Sequence, residues 1–284
     1  MRLQATWLLA TLGAITSAST TSGNNNILEV DLVFPQNKTY TPTAWFPIVF
    51  AFQGSPRAQY LNFEITYHLR ALDNQANSIT RSHDLRFANW SSHDPYFAHE
   101  FFSLFDSPGR WNLAWTVTWQ SCNEEGFEKR HMTSDMVWNM TSLSTWFTVQ
   151  DTAESVDVVD LVSATSETSC PDPKGETAIA INVTDKSMSV PSWVQWSGGK
   201  YTNSTCVVVA PTPTTPDPCK VDIDRTVVES MQASLKARRC RGFNPPHDCP
   251  EDDEESSAQP QRGALLGVLG LLTLSGALGF LGLT

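Results

Sequence analysis

The sequence predicts an all-β protein, an antiparallel β-sandwich that is Ig-like in general architecture, with one short C-terminal helix and a C-terminal apolar tail. Three observations favour this fold. Short apolar segments alternate with polar residues at period two, turn residues separate these segments, and helical spacing is confined to one stretch near the C-terminus. A closed β-barrel is the rival architecture that this pattern leaves open.

The segment 110–120 carries the heaviest core residues of the predicted sandwich. Its odd positions hold bulky apolar side chains and its even positions hold small or polar ones, and side chains on a strand alternate between two faces. A β-branched run at its centre and the turn signal just before it favour a strand over a helix. We expect Trp111, Trp115 and Trp119 to pack in the core, the alternative being a row of rings on which sugars stack.

The other strands follow from the same reasoning. In the first of them, Glu29 and Asp31 alternate with apolar residues, whereas residues 46–52 are nearly all apolar and predict a strand buried on both faces. Residues 88–109 are aromatic-rich but irregular, and residues 122–140 have no sustained period. The predicted strands cover residues 28–34, 46–52, 61–69, 79–87, 110–120, 143–149, 156–162, 177–183 and 206–209.

An extended segment precedes the predicted helix. Residues 210–218 are rich in Pro and Thr, which is typical of an extended and often O-glycosylated chain. Apolar residues at helical spacing then predict a helix over about 224–239, with Thr226 and Glu229 as a capping box. We expect one secreted β-rich domain over residues 27–249.

Residues 1–18 have the pattern of a secretory signal peptide, because a basic residue, an apolar segment and small residues follow one another. Export fits the six cysteines, none of which lies in a C-x-x-C pair or beside histidines at zinc-finger spacing. Three disulfides are therefore favoured over a metal site. Six cysteines allow 15 pairings, of which the preferred one is Cys170–Cys206 and Cys240–Cys249, which leaves Cys122 for Cys219.

Asn-x-Ser/Thr sequons agree with export, since several of them on an exported chain are typical of a glycoprotein. In the strand 177–183, Asn182 falls on the face opposite the apolar residues, where a glycan can be accommodated. The expected glycosylation sites are Asn37, Asn89, Asn139, Asn182 and Asn203.

Residues 263–284 form an apolar tail of 22 residues without a charge, long enough to cross a bilayer. No basic cluster follows the tail, which favours a glycosylphosphatidylinositol attachment signal over an uncleaved single-pass helix. Ser256, followed by Ser257 and Ala258, is the candidate attachment residue. We interpret residues 250–262, with the acidic run at 251–255, as a solvated stalk.

The formal net charge is −11, and the chain carries no basic stripe of the kind that neutralises phosphates. Nucleic acid is therefore not an expected partner. The expected partners are a membrane, through the C-terminal lipid anchor or span, and cell-wall polysaccharide. The expected location is the cell surface, on the plasma membrane or the wall.

No catalytic signature is present: the sequence lacks a G-x-S-x-G elbow, an H-E-x-x-H motif and a Gly-rich phosphate loop. Ser-His-Asp occurs at 82–84 and 92–94, but neighbouring strand residues point to opposite faces, so neither tripeptide is a triad by itself. A metal site of His83, His93 and His99 is disfavoured, because surface histidines are far commoner. We expect a non-enzymatic protein with no catalytic residue, cofactor or metal.

Aromatic residues in predicted loops are the better candidates for a sugar site, because the three tryptophans of the central strand share their face with apolar residues. These candidate sugar-contact residues are Trp90, Tyr96, Trp138, Trp193 and Trp196.

Several strand and turn segments together are similar to a family of secreted fungal proteins, the domain-of-unknown-function family 7136. The segments are Leu28–Pro35, Pro47–Phe50, Trp111–Cys122, Ile181–Thr184 and Ser189–Pro191. The resemblance spans residues 27–249 and implies an extracellular fungal glycoprotein that is often surface-anchored. It carries no catalytic residue over to this chain.

The leading hypothesis is a non-enzymatic glycoprotein displayed on a fungal cell surface, with a role in wall structure, adhesion or recognition. A carbohydrate-binding module is the alternative. A glycan-processing enzyme is the second alternative, because the separation of two catalytic carboxylates is not visible in a sequence.

Overall fold

The computed structural model describes residues 26–73, 78–129, 136–151, 160–165, 177–190 and 205–250. Over these residues the chain is mostly β, and the predicted all-β sandwich is confirmed. Its strands are β1 Ile27–Phe34, β2 Thr39–Tyr40, β3 Phe46–Gln53, β4 Glu64–Ala71, β5 Ser78–Asp84, β6 Tyr96–Phe102, β7 Gly109–Cys122, β8 Met136–Val149, β9 Ala178–Ser189 and β10 Thr205–Val209. The α-helices are α1 Glu124–Lys129, α2 Leu161–Ala164 and α3 Arg225–Cys240.

The strands form two five-stranded sheets. Sheet 1 has the order β10-β9-β1-β3-β6, and sheet 2 has the order β2-β8-β7-β4-β5. Neighbouring strands are antiparallel, except that the short β2 pairs with the end of β8 in parallel. Among the described strands, the edges are therefore β10 and β6 in sheet 1 and β2 and β5 in sheet 2.

Two compact units divide the chain, one ending at Leu235 and the other starting at Lys236. Both sheets belong to the first unit. The described part of the second unit holds the end of α3 and a loop closed by the Cys240–Cys249 disulfide. Lys236 on the helix pairs with Asp248 in the loop, with 3.0 Å between Nζ and Oδ2.

The core lies between the sheets and contains the three tryptophans of β7. Trp111, Trp115 and Trp119 are 4%, 1% and 8% exposed. The ring of Trp115 lies 5.3 Å from that of Phe50 on β3, so indole and phenyl rings of opposite sheets pack directly on one another. The predicted core packing of this strand is confirmed, since its period-two pattern places every bulky side chain on the inner face.

Strand β3 is buried on both faces, as its apolar run predicts. The outer face of sheet 1 is covered by the chain around residues 217–231, where Val221, Ile223 and Met231 are buried. This cover also includes α2, because Ile223 N donates to Thr165 Oγ1 at 2.9 Å, one residue beyond that helix.

Three local predictions were wrong. Residues 88–109 were interpreted as irregular but contain β6, whose aromatic residues lie on both faces and so hide the alternation. Strand β8 begins at Met136, inside the stretch without a sustained period. The end of the predicted strand 156–162 is the first turn of α2, and residues 152–159 lie outside the described residues.

Helix α3 covers the predicted range, but its cap differs from the predicted one. Asp224 Oδ1 accepts a hydrogen bond of 2.8 Å from Val227 N, which makes Asp224 the N-cap. Thr226 therefore lies inside the first turn and does not form the capping box with Glu229.

The disulfides correct the predicted pairing in part. Cys240–Cys249 is confirmed, and Cys219 is also disulfide-bonded. Cys122 pairs with Cys206 instead of Cys219, so the predicted Cys170–Cys206 pair is wrong as well. Cys122 ends β7 in sheet 2 and Cys206 lies on β10 in sheet 1, so face-to-face stacking of the sheets brings them together across 84 residues of chain.

Replacing Trp115 with Ala should lower the free energy of unfolding by about 3–5 kcal/mol, because a fully buried indole leaves a large cavity. Equilibrium unfolding in urea measures the effect. Thr116→Ala is the matched control, since Thr116 points to the outer face of the same strand, and it should cost far less. Equal costs for the two variants would contradict the core assignment.

Candidate functional site

The outer face of sheet 2 is a broad polar surface. It is formed by the even-numbered residues of β4, β5, β7 and β8, because these strands are in register and side chains alternate. Thr116 at its centre lies opposite Thr66 on one side and Ser142 on the other. Along β8 the even-numbered residues from Trp138 to Trp146 are all exposed.

Two half-exposed tryptophans lie on this face. Trp138 is 50% exposed and lies opposite Gln120, and Trp146 is 47% exposed and lies opposite Asn112. Trp138 and Trp146 are eight positions apart along one strand, which corresponds to about 26 Å along the backbone. Met140, on the same side of β8, is 65% exposed. These rings contrast with the buried tryptophans of β7, because they belong to the opposite face of the same sheet.

Hydroxyl groups and the side chain of Met140 lie between the two rings. Ser142 and Ser144 lie between them on β8, and Thr116 Oγ1 lies 2.8 Å from Ser142 Oγ. Strand β8 contains no charged residue at all. Arg110 is the charged residue of β7, and its Nη2 is held 2.7 Å from Asp73 Oδ1. The strip from Trp138 to Trp146 is therefore uncharged and combines flat apolar rings with groups that both donate and accept hydrogen bonds.

The structure places the predicted sugar-contact residues in different environments. Trp138 is exposed on the outer face of sheet 2. Trp90 is buried at 4% exposure, its ring 5.0 Å from those of Phe52 and Tyr96, so it has no ring face to offer a ligand and that prediction was wrong. Tyr96 is half-buried, and burial raises the pKa of its hydroxyl. Trp193 and Trp196 lie outside the described residues.

Trp146 was missed by the sequence reasoning, although the signal for it was present. The predicted strand 143–149 was recognised from its odd-numbered residues, which point inward. The same alternation places Trp146 on the outer face, where its exposure in the structure follows directly.

The sequons occupy both open and partly covered positions. Asn37 and Asn89 are exposed. Asn139 and Asn182 are half-buried, and Asn139 Nδ2 donates to Ser121 Oγ at 3.2 Å. Asn203 lies outside the described residues, as do the candidate attachment residue Ser256, residues 1–18 and residues 263–284.

A pair of buried carboxyl groups lies on the outer face of sheet 1. Glu29 and Asp31, the acidic residues that alternate with apolar ones along β1, are only 5% and 1% exposed. The covering chain explains this burial: Asp217 N donates to Glu29 Oε1 at 2.7 Å, and Gln53 Nε2 donates to both Asp31 Oδ2 at 2.9 Å and Asp217 O at 3.2 Å.

Burial raises the pKa of Asp31 well above its usual range, and the neighbouring Glu29 raises it further. Burial likewise raises the pKa of Glu29. The folded state therefore holds protons that the unfolded chain has released once the pH exceeds about 3.9, the ordinary Asp value. Stability contributed by this pair is present at acidic pH and is lost as the pH rises through the folded-state pKa.

Replacing Asp31 with Asn should flatten this pH dependence, because Asn keeps the shape and the hydrogen bonds without a proton to lose. Relative to the unmodified protein, we expect the variant to be more stable at pH 8 and closest to it at pH 4. Urea unfolding measured across this range tests the expectation, with the exposed Asp106→Asn as control. An unchanged slope in the Asp31 variant would show that the pair does not govern stability.

The three histidines considered as metal ligands do not all meet at one site. The ring of His83 stacks 5.6 Å from that of Tyr67, and burial lowers the pKa of His83, whereas His93 and His99 line a groove beside β6. Within the described ranges no group of three or more His, Cys, Asp or Glu side chains is arranged to hold a metal ion. No helix in the same ranges combines the length and the hydropathy needed to cross a bilayer.

Fold and surface together define a two-sheet β-sandwich protein with exposed tryptophans on one open sheet face. The chain belongs to the family described as Domain of unknown function (DUF7136), whose model matches residues 23–249. The resemblance identified from the strand segments is thereby confirmed at the level of the domain family. Searches of curated proteins and of solved structures found no match.

Proposed function

We propose that this protein is a non-enzymatic recognition protein of the fungal cell surface that binds an uncharged polysaccharide through the outer face of sheet 2. The observation that supports the proposal is the pair Trp138 and Trp146, each about half exposed on a strand without a charged residue. Binding of wall polysaccharide would give the chain its role in wall structure or adhesion.

The chemistry of the face favours a sugar ligand. An exposed indole presents a flat apolar surface that is solvated at a free-energy cost, and the apolar C–H face of a sugar ring covers it well. The hydroxyls of Thr116, Ser142 and Ser144 match the hydroxyls at the edges of the same sugar rings. A charged polymer finds no partner between the two rings, because this part of β8 is uncharged.

The spacing of the rings favours a long ligand. Two indoles whose residues lie about 26 Å apart along the backbone of one strand cannot both contact a monosaccharide or disaccharide. An extended polysaccharide chain that runs along β8 reaches both rings at once. Each contact then adds to the other, since the second contact forms within a complex that already exists.

Replacing Trp138 or Trp146 with Ala should weaken binding to insoluble uncharged polysaccharide about two- to tenfold, as an aromatic contact worth about 0.5–1.5 kcal/mol predicts. The double variant should lose more than either single variant. Sedimentation assays with β-glucan, chitin and mannan measure the bound fraction, and urea unfolding checks that each variant folds.

Phe243→Ala is the matched control, because Phe243 is a fully exposed aromatic residue in the second unit. It should bind like the unmodified protein. Binding that is insensitive to both tryptophan variants would refute the proposal. Concentration-dependent dimerisation that Trp146→Ala abolishes, without any polysaccharide binding, would instead make this face a contact between two copies of the chain.

The proposal includes display of the protein by a glycosylphosphatidylinositol anchor attached near Ser256. A phosphatidylinositol-specific phospholipase should then release the protein from intact cells, and deletion of residues 263–284 should send it into the medium. Immunoblots of cell and medium fractions measure both effects. Retention on cells after phospholipase treatment would favour a single-pass span.

A further inference from the structure

A groove of about 560 Å³ lies beside the edge strand β6, away from the outer face of sheet 2. One wall is the turn that leads into β6 together with the first residues of that strand. The other wall is the first two turns of α3 and the residues that precede this helix. Its volume falls within the range of about 300–1,000 Å³ that is typical of small-molecule sites.

The groove is largely apolar and carries two aromatic rings. Tyr96 and Phe97 contribute these rings from β6, and Val227 and Met231 contribute aliphatic surface from α3. All four side chains are at least half-buried, so they hold their positions without a ligand. The body of a ligand is therefore expected to be apolar.

The titratable groups of the groove include three carboxylates and the histidines His93 and His99. Asp94, Asp222 and Asp224 line it, and neither Lys nor Arg is among its lining residues. Two of the three carboxylates already have structural partners: Asp94 Oδ1 accepts from Gly54 N at 2.8 Å, and Asp224 Oδ1 caps α3. Asp222 is exposed, and no described residue pairs with it. It is the carboxylate that is available to a ligand.

We propose that this groove is a binding site for a small organic cation with an apolar body, such as an arylalkyl ammonium compound. A cationic head is attracted both by the faces of aromatic rings and by the carboxylate of Asp222. The apolar body is removed from water against Val227 and Met231. The net charge of −11 further favours the approach of cations over anions.

This site is independent of the proposed polysaccharide face, and its failure would leave that proposal intact. Isothermal titration of the full chain with benzyltrimethylammonium at pH 7.5 tests it directly. Benzyl alcohol and benzenesulfonate, an uncharged and an anionic aromatic probe, are the ligand controls. We expect saturable binding of the cation and at least tenfold weaker binding of the other two probes.

Substitutions of lining residues test whether the cation binds in this groove. Asp222→Asn should weaken binding of the cation about two- to fivefold, as expected for an exposed charge pair. Phe97→Leu should also weaken it, since the ring face is lost, whereas Asp106→Asn, which removes an exposed carboxylate elsewhere, should have no effect. The inference is overturned if the cation does not bind, if the three probes bind equally, or if Asp222→Asn and Phe97→Leu both leave its affinity unchanged.

Discussion

The contact between Trp115 and Phe50 is the interaction on which the architecture rests, because it fixes which face of each sheet is the inner one. Once the indoles of β7 point inward, strand geometry sends Thr116 and its even-numbered neighbours outward. Register then aligns the even-numbered residues of β8 with them. The open face with its two exposed tryptophans is thus a direct consequence of how the core is packed.

Much of the fold was accessible from the sequence wherever hydrophobic periodicity was strong. Strand β7 has one apolar face, β3 is apolar on both, and α3 repeats at helical spacing, so each was predicted at nearly its observed position. Strand β6 was missed because its aromatic residues lie on both faces of an edge strand. The pairing of Cys122 with Cys206 was missed because it depends on the stacking of two sheets, which spacing along the chain does not encode.

The candidate site was only half predictable for a similar reason. Trp138 was singled out as an aromatic residue outside the core. Trp146 was missed, although the alternation of the predicted strand 143–149 places it on the outer face. The burial of Glu29 was not visible, because its cover arrives from Asp217, 188 residues further along the chain. Local pattern defines which residues share a face, whereas what covers that face is decided by tertiary structure.

The Cys122–Cys206 bond has a mechanical consequence under the proposed attachment of the protein at its C-terminal end. A pull on the segment after β10 first loads Val209 and Val207, which pair with β9. Beyond these pairs, the disulfide at Cys206 passes the force directly into β7. From β7 the load spreads along the full ladder to β8, where many backbone hydrogen bonds resist it in parallel. A C-terminal attachment and a ligand held on β8 would therefore be linked through a covalent bond between the two sheets, so that the load between them would not rest on side-chain packing alone.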